Sequence, residues 1–178
     1  MTHEIESHVN SLFNSCSYRI GEVLIDPGDE WEGFRRVKAV LLTHAHFDHI
    51  YGLNRVAELN PEVRVLTTSF GREMLMSDKK NMSRYHESPF VFERPELVVE
   101  ISEGPLSVAG LDFDVFETPG HNPSCLTFRI GEALFTGDAY IPGIPTVTKL
   151  PGGNCRQAEE SVSRILSLGG RIYPGHFV

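Results

Sequence analysis

The sequence predicts a mixed α/β (α+β) fold that has many strands and few helices. Short apolar runs are separated by Gly and Pro, and only a few segments place apolar residues at helical spacing. No apolar stretch approaches the length of a membrane-spanning helix. The chain has 178 residues, which suits one hydrophobic core, and we expect a single domain over residues 1–178.

The first half of the chain alternates predicted strands with predicted helices. The run 37–42 is apolar apart from Lys38 and predicts a buried strand. Asp26-Pro27-Gly28-Asp29 is a strong turn signal after an earlier strand, and Asn60-Pro61 ends a helix. The predicted strands are 18–20, 22–25, 37–42 and 62–67, and the predicted helices are 51–59 and 69–76.

The second half is dominated by strands that are joined by Gly-centred turns. A polar, irregular segment at residues 77–89 precedes them, and Asn81-Met82-Ser83 within it resembles a loop-bracing motif. Ala158, Val162, Ile165 and Leu166 recur at helical spacing near the end. The predicted strands are 98–101, 106–108, 111–117, 124–130, 133–135 and 171–173, and the predicted helix is 157–168.

Charge and cysteine content limit the classes of partner. Lys plus Arg is 16 and Asp plus Glu is 24, so the net charge is 16 − 24 = −8, which disfavours nucleic acid. The polar, acidic N-terminus does not resemble a secretory signal. Cys16, Cys125 and Cys155 are widely spaced and odd in number, which indicates reduced thiols. We expect a cytoplasmic protein with a small-molecule substrate and no membrane or nucleic-acid partner, and leave homodimer formation open.

Four predicted strands end in a Thr or Gly that precedes a side chain able to bind metal. Val40-Leu41-Leu42-Thr43 leads to His44, and Phe116-Glu117-Thr118-Pro119-Gly120 leads to His121. Leu134-Phe135-Thr136-Gly137 leads to Asp138, and Ile172-Tyr173-Pro174-Gly175 leads to His176. Ligands at strand ends are held rigidly and remain open to a substrate. The repeated pattern predicts one metal site at the strand ends.

The run His44-Ala45-His46-Phe47-Asp48-His49 is the strongest single signal. Neutral imidazoles together with a carboxylate suit Zn, Fe, Mn or Ni better than Ca or Mg. The run contains no cysteine, which argues against a closed structural zinc site. It therefore predicts a catalytic transition-metal centre.

These motifs, in this order, resemble the metallo-β-lactamase-fold hydrolase superfamily. Leu24-Ile25-Asp26-Pro27-Gly28 resembles the first motif of the family, in which Asp26 would brace the metal-binding loops. Thr118-Pro119-Gly120-His121 and Phe135-Thr136-Gly137-Asp138 are most similar to the glyoxalase II-like group. The resemblance implies an αββα four-layer sandwich with the metals along one edge.

The resemblance also implies the role of each ligand. It places one metal on His44, His46 and His121, a second on Asp48, His49 and His176, and Asp138 between them. Two Zn²⁺ ions are expected, with Fe or Mn as alternatives. A hydroxide shared by the ions would attack the carbonyl carbon of a thioester, ester or lactone. Asp48 would accept or orient the proton.

Two further residues bear on the chemistry. Cys125 occupies a position where many glyoxalase II enzymes have His, and in this it is similar to the persulfide dioxygenases of the superfamily. Those enzymes use one iron and O₂, so a mono-iron dioxygenase is one alternative; a buried apolar role for Cys125 is another. Tyr140 follows Asp138 by two residues and resembles a tyrosine that polarises the substrate carbonyl in lactonases of the superfamily. It is therefore a second catalytic candidate beside Asp48.

Three other expectations follow. Asp138 at the bridging position argues against the β-lactamases that use a cysteine ligand there. The sequence ends two residues after His176, without the helical C-terminal domain of glyoxalase II, so the use of glutathione conjugates is open. Residues 77–89 and 141–154 flank the motifs and are the predicted selectivity segments. A non-catalytic metal-binding or redox module is the remaining alternative function.

Overall fold

The predicted strands assemble into two sheets in the computed structural model, which describes residues 4–29 and 31–178. The first sheet has antiparallel pairing between its first three strands and parallel pairing between the rest. In spatial order its strands are β1 (Glu6–Val9), β2 (Cys16–Ile20), β3 (Val23–Ile25), β4 (Ala39–Leu41), β5 (Arg64–Thr67) and β6 (Val98–Glu100).

The second sheet is built by the C-terminal half of the chain. Its strands are β7 (Gly104–Val108), β8 (Leu111–Glu117), β9 (Leu126–Ile130), β10 (Ala133–Gly137) and β11 (Arg171–Pro174). Their spatial order is β11-β10-β9-β8-β7. Strand β9 is antiparallel to both β8 and β10, and β10 is parallel to β11. Strands β8, β10 and β11 therefore point the same way and end at one edge.

A shared apolar core joins the inner faces of the two sheets. Fully buried side chains of the first sheet, such as Ile25 and Leu41, belong to one cluster with Phe128 and Phe135 of the second. Burial of this much apolar surface is the main favourable term in folding. The two sheets consequently form the inner layers of a sandwich.

Helices cover the two outer faces. Helices α1 (Leu53–Leu59) and α2 (Ser69–Leu75) pack on the first sheet in a cluster that includes Leu24, Val40 and Val65. Helix α3 (Cys155–Leu168) packs Ile165 against the second sheet, and its first turn is capped by the Asn154 side chain, which accepts a hydrogen bond from Gln157 N (3.0 Å). The αββα arrangement implied by the family resemblance is confirmed. Among the described residues, no helix is long and apolar enough to cross a membrane.

Most predicted elements are present, with ends that differ by a few residues. Strand β1 was not predicted: it lies at the edge of the sheet, and Glu6, Ser7 and His8 give it no apolar alternation. Cys16, Cys125 and Cys155 form no disulfide in the structure, and their reduced state stays a prediction. Organisation as a single domain stays a prediction.

Truncation of Phe128 tests the importance of the core between the sheets. Phe128 is fully buried in the middle of β9, so Phe128→Ala removes a large side chain and leaves a cavity. We expect a loss of about 3–5 kcal/mol in the free energy of unfolding. Val99→Ala, in a side chain that is 39% exposed on β6, is the control and should change stability by less than about 0.5 kcal/mol. Equal effects in urea denaturation would contradict a core at this interface.

Candidate metal centre

The strand ends of the two sheets meet at one edge of the sandwich. Asp26 follows β3 and His44 follows β4, while His121, Asp138 and His176 follow β8, β10 and β11. Backbone hydrogen bonds join the two sheets here, from Leu126 N to Thr43 O (2.7 Å) and from Cys16 N to Gly175 O (2.7 Å). The topology thus brings together the seven predicted ligands, which are His44, His46, Asp48, His49, His121, Asp138 and His176.

One group of donors comprises His44, His46 and His121, which we call the first half-site; all three side chains are buried. His121 donates from Nδ1 to the Val147 carbonyl oxygen (2.8 Å), which leaves the Nε2 lone pair free, 3.0 Å from His46 Nδ1. His44 Nδ1 lies 3.2 Å from Thr43 Oγ1, so its Nε2 is directed toward the donor atoms of His46 and His121. Hydrogen bonds at the distal nitrogens orient histidine ligands in this way in metal sites.

A second group comprises Asp48, His49 and His176, which we call the second half-site. The Nε2 atoms of His49 and His176 are 3.3 Å apart, and Asp48 Oδ2 lies 3.4 Å and 3.3 Å from them. His176 donates from Nδ1 to the Phe13 carbonyl oxygen (2.8 Å), and His49 Nδ1 lies 3.3 Å from Asp26 Oδ2. Both imidazoles therefore present Nε2 to the same point as the Asp48 carboxylate.

Asp138 lies between the two half-sites. Its carboxylate oxygens are 3.8 Å and 3.5 Å from Nε2 of His44 and His121 in the first half-site. They are 3.4 Å and 3.3 Å from Nε2 of His49 and His176 in the second. One carboxylate thus faces two imidazoles of each half-site, which is the position of a ligand shared by two ions.

Asp26 acts as a brace and not as a ligand. Its side-chain oxygens accept hydrogen bonds from Thr43 N (2.8 Å) and Thr43 Oγ1 (2.5 Å), and Oδ2 also faces His49 Nδ1. These contacts occupy the carboxylate, although Asp26 lies close enough to His44 and His49 to form a third cluster of donors. The bracing role implied by the family resemblance agrees with these hydrogen bonds.

Unpartnered buried atoms at the centre fit a bound cation. Within residues 4–29 and 31–178, three buried side-chain atoms lack a hydrogen-bond partner, and two of them are His44 Nε2 and Asp138 Oδ1. A buried polar atom without a partner costs roughly 1–3 kcal/mol. Metal ions would satisfy both atoms, and imidazole with carboxylate is a donor set for Zn, Fe or Mn. The residues present therefore fit the metals that the sequence predicts.

The two half-sites differ in protonation in the metal-free protein. Burial, together with repulsion from His121, lowers the pKa of His46 to about 4, so this imidazole is neutral at pH 7. Burial also lowers the pKa of His176, but hydrogen bonds to Asp138 and Asp48 outweigh burial and raise it to about 10. Burial opposes ionisation of Asp48, yet attraction to His49 holds the pKa of its carboxyl below the usual value. His46 of the first half-site is thus neutral before metal binds, whereas His176 of the second holds a proton.

The other predicted residues lie around this centre. Cys125 is buried in a cluster with Ala139 and Ile165, as expected for an apolar role, and burial raises the pKa of its thiol. Tyr140 packs against the same cluster, and its carbonyl oxygen accepts a hydrogen bond from Thr136 Oγ1 (2.7 Å). The catalytic role of Tyr140 stays a prediction.

Asn81 confirms the predicted loop-bracing motif. Its side chain donates to the carbonyl oxygens of Met74 (3.1 Å) and Phe90 (3.0 Å) and accepts from Ser83 N (2.9 Å). The Asn81 carbonyl oxygen in turn accepts from Phe47 N (3.0 Å), next to Asp48. The segment 77–89 is therefore attached directly to the metal-binding run.

Sequence reasoning missed the groups that hold the ligands through the backbone. The carbonyl oxygens of Phe13 and Val147 orient His176 and His121. A carbonyl is present in every residue, so no residue type marks such a contact. Asn122 Nδ2, 3.4 Å from His46 Nε2, was also missed, although its place directly after His121 was a usable signal.

Comparison with known families agrees with this geometry. The sequence model of the Metallo-beta-lactamase superfamily matches residues 18–176, which include every ligand described above. The chain belongs to the metallo-β-lactamase superfamily. A probable metallo-hydrolase of Streptococcus pyogenes serotype M6 is 30% identical over 170 residues, covering 86% of this chain and 73% of that protein. A hydroxyacylglutathione hydrolase of Tolumonas auensis is 26% identical and covers 86% of this chain and 56% of that protein.

Solved structures of the superfamily superpose on most of the chain. The B3 metallo-β-lactamase BLEG-1 has a TM-score of 0.87 at 26% sequence identity, with 98% of this chain and 92% of that chain covered. The protein TTHA1623 in a di-iron-bound form has a TM-score of 0.80 at 27% identity, with 97% and 92% covered. The family prediction and its fold are therefore confirmed, and metal binding is supported by the donor clusters.

Proton release on metal binding tests the protonation difference. His176, with a pKa of about 10, is protonated at pH 7 in the metal-free chain. An imidazole must lose this additional proton before it can bind a metal ion. We therefore expect Zn²⁺ addition in weak buffer at pH 7 to release protons. The apparent affinity should rise with pH until the pH exceeds that pKa. Affinity that does not change between pH 6 and 9 would contradict this assignment.

Gly175 provides a test of the position of Asp138. A Cβ at position 175 would overlap Asp138 Oδ1 and lie 2.7 Å from the Gly137 carbonyl carbon, so Gly175→Ala should displace the carboxylate. We expect metal affinity to fall by about 10-fold or more. The control is Gly21→Asn, since Gly21 has φ +56°, which Asn tolerates, and no neighbour lies within 4 Å of its Cβ position. Elemental analysis after dialysis of both variants is the measurement, and unchanged metal content in Gly175→Ala would refute the placement.

Proposed function

We propose that this chain is a binuclear metal-dependent hydrolase that cleaves a thioester, ester or lactone, with Zn²⁺ as the expected ion. The observation that carries the proposal is the Asp138 carboxylate, which faces two imidazoles of each half-site at 3.3–3.8 Å. A structural zinc site is closed by four protein ligands, whereas each half-site here has three donors and shares Asp138 with the other. The relatives that are metallo-hydrolases support the same reaction class.

Residues of this chain would hold the two ions and would accept or orient protons. Ions bound in the two half-sites would supply Lewis acidity and would make water acidic enough to act as a nucleophile near neutral pH. Asp48 is ionised at neutral pH and its carboxylate lies at the rim of the second half-site, where it accepts or orients a proton. His46 is neutral at that pH and therefore presents a lone pair.

Apolar side chains flank both half-sites. Phe13 and Val147 each use a carbonyl oxygen to hold a ligand histidine at 2.8 Å, while their side chains are 62% and 51% exposed. A small cleft of about 30 Å³ contacts His121 and Asp138, and its other lining residues, Ile141, Ile144, Pro145, Thr146 and Val147, carry no charge. This cleft is far smaller than a substrate pocket, which typically has roughly 300–1,000 Å³, so it marks an uncharged wall beside the ligands.

The cleft wall is held rigidly beside the ligands. Thr146 Oγ1 donates to the Ala139 carbonyl oxygen (3.0 Å), and the Val147 carbonyl oxygen accepts the His121 Nδ1–H, so the C-terminal end of the wall is fixed. This arrangement supports the predicted role of residues 141–154 in selectivity. The similarity to a hydroxyacylglutathione hydrolase supports a thioester substrate. A screen of thioesters, esters and lactones distinguishes the three classes.

Asp48→Asn is the decisive variant. It removes the charge that accepts a proton but keeps the shape of the side chain. We expect kcat/KM of the zinc-loaded protein to fall by about 10²–10⁴ in a screen of thioesters, esters and lactones. Asp114→Asn, in an exposed residue of β8, is the matched control and should leave hydrolysis unchanged.

Three outcomes would overturn the proposal. Bound metal without hydrolysis of any substrate in the wild-type chain, unchanged in Asp48→Asn, would indicate a binding module without catalysis. One iron per chain with oxygen uptake on addition of a persulfide would indicate a dioxygenase. Hydrolysis of phosphodiesters alone would contradict the acyl substrate.

A further inference from the structure

The chain segment that joins β1 to β2, together with the first two residues of β2, contributes no predicted metal ligand. It contacts Asp48 and His176 directly and is linked to His49 through Asp26. We call residues 10–17 the N-terminal turn. It contains Asn10, Ser15 and Ser17, which are all buried, with exposed fractions of 1%, 0% and 0%. Buried polar side chains are costly unless they are hydrogen-bonded, so their partners indicate what they hold in place.

The first connection reaches Asp48. Ser15 Oγ donates to the Asp48 carbonyl oxygen (2.7 Å) and accepts a hydrogen bond from Asn10 Nδ2 (3.0 Å). Gly28 packs against the same pair, because a Cβ there would lie 2.5 Å from the Asp48 carbonyl oxygen and would also overlap the Asn10 amide. The backbone of this ligand is therefore fixed from one side by the N-terminal turn.

The second connection reaches His49 through Asp26. Asn10 Nδ2 also donates to Ser17 Oγ (3.0 Å), and Ser17 Oγ donates to the Asp26 carbonyl oxygen (2.5 Å). Asp26 has φ +49°, an unfavourable conformation for a residue with a side chain, and this hydrogen bond helps to hold it. The Asp26 carboxylate then faces His49 Nδ1 at 3.3 Å.

The third connection reaches His176. The Phe13 carbonyl oxygen accepts the His176 Nδ1–H, and Ser15 forms an isolated β-bridge with His176. Phe177 N also donates to the Asn14 carbonyl oxygen (2.9 Å). The strand end that carries His176 is thus attached directly to the N-terminal turn.

The first half-site has different supports. The hydrogen-bond partners of His44, His46 and His121 outside the half-site are Thr43, Asn122 and Val147, as far as the described residues extend. None of these three residues lies in the N-terminal turn. Thr43 in turn donates two hydrogen bonds to the Asp26 carboxylate, so His44 is linked to the N-terminal turn one step more remotely than His49. The partners of His46 and His121 named above lie apart from that network.

We propose that the N-terminal turn, with Asn10 at its centre, is a positioning element that sets the metal affinity of the second half-site in preference to that of the first. Asn10 is a positioning residue, since it reaches Asp48 through Ser15 and reaches His49 through Ser17 and Asp26. The inference rests on the two-ion site of the proposed function. Its direct consequence is that the affinities for the two ions can be changed independently.

Metal titration of variants tests this selectivity. Ser15→Ala should weaken binding at the second half-site by about 10–100-fold and leave the first unchanged, and Asn10→Ala should weaken the second half-site far more than the first. Titration with Zn²⁺, and with Co²⁺ followed by absorbance, resolves the two equivalents without any substrate. Ser15→Thr keeps the hydroxyl and should restore much of the affinity. If Asn10→Ala does not fold, Ser15→Ala and Ser17→Ala decide the question.

Ser161→Ala is the matched control. Ser161 is also buried, and its Oγ donates to the backbone carbonyl oxygen of Pro119 (2.6 Å), so the change removes the same kind of hydrogen bond from a site outside the N-terminal turn. It should lower thermal stability by an amount similar to Ser15→Ala while leaving the second half-site at wild-type affinity. If Ser161→Ala lowers the metal affinity of the second half-site as much as Ser15→Ala does, the effect reflects general stability and the proposal is overturned.

Half-site variants assign the affected ion. In a His121→Ala background, which removes the first half-site, Ser15→Ala should weaken binding of the remaining ion by the same factor of about 10–100. In a His176→Ala background, Ser15→Ala should have no further effect. Equal weakening in both backgrounds, or uptake of a single equivalent by the wild-type chain, would overturn the proposal. Failure to hydrolyse any acyl substrate, with both ions bound, would overturn the proposed function and leave this inference standing.

Discussion

The buried carboxylate of Asp138, surrounded by four imidazoles, is the constraint on which the rest of the site depends. A buried charge is stable only when it is paired and hydrogen-bonded or when it binds a cation. Four histidine Nε2 atoms lie within 3.3–3.8 Å of it, two from segments after the first sheet and two from strand ends of the second. No single sheet supplies all four, so the site exists only when the two sheets are packed face to face.

The sandwich meets this requirement through the direction of its strands. Strands β8, β10 and β11 run parallel to one another, and their ends deliver three ligands to one edge. Strands β3 and β4 pair in parallel and deliver Asp26 and the histidine run to the facing edge. Close approach then restricts residue choice, because a Cβ at Gly175 would overlap the Asp138 carboxylate. The glycines of the motifs are therefore as much a part of the site as the ligands.

The sequence allowed the ligand set and most strands to be predicted, because both depend on residue type. Apolar runs mark buried strands, and histidine and aspartate at their ends mark a metal site. The supports could not be predicted in the same way. Asn10 and Ser15 act on ligands through backbone carbonyls that are distant in sequence. Strand β1 is an exposed edge strand, so its side chains need no apolar alternation. These features depend on tertiary proximity and leave no periodic pattern in the chain.

The two half-sites contain similar donors but differ in electrostatic environment. The second contains the Asp48 carboxylate and adjoins Asp26, and together with Asp138 these groups raise the pKa of His49 despite the burial that opposes its charge. In the first half-site, burial followed by repulsion from His49 lowers the pKa of His44. In the absence of metal, protons on His49 and His176 therefore balance the negative charge of the carboxylates in the second half-site. A metal cation must displace these protons in order to bind. His44 and His46 of the first half-site have lowered pKa values and carry no such proton. The additional aspartate carboxylates at the second half-site therefore determine both its charge and the number of protons that it must release.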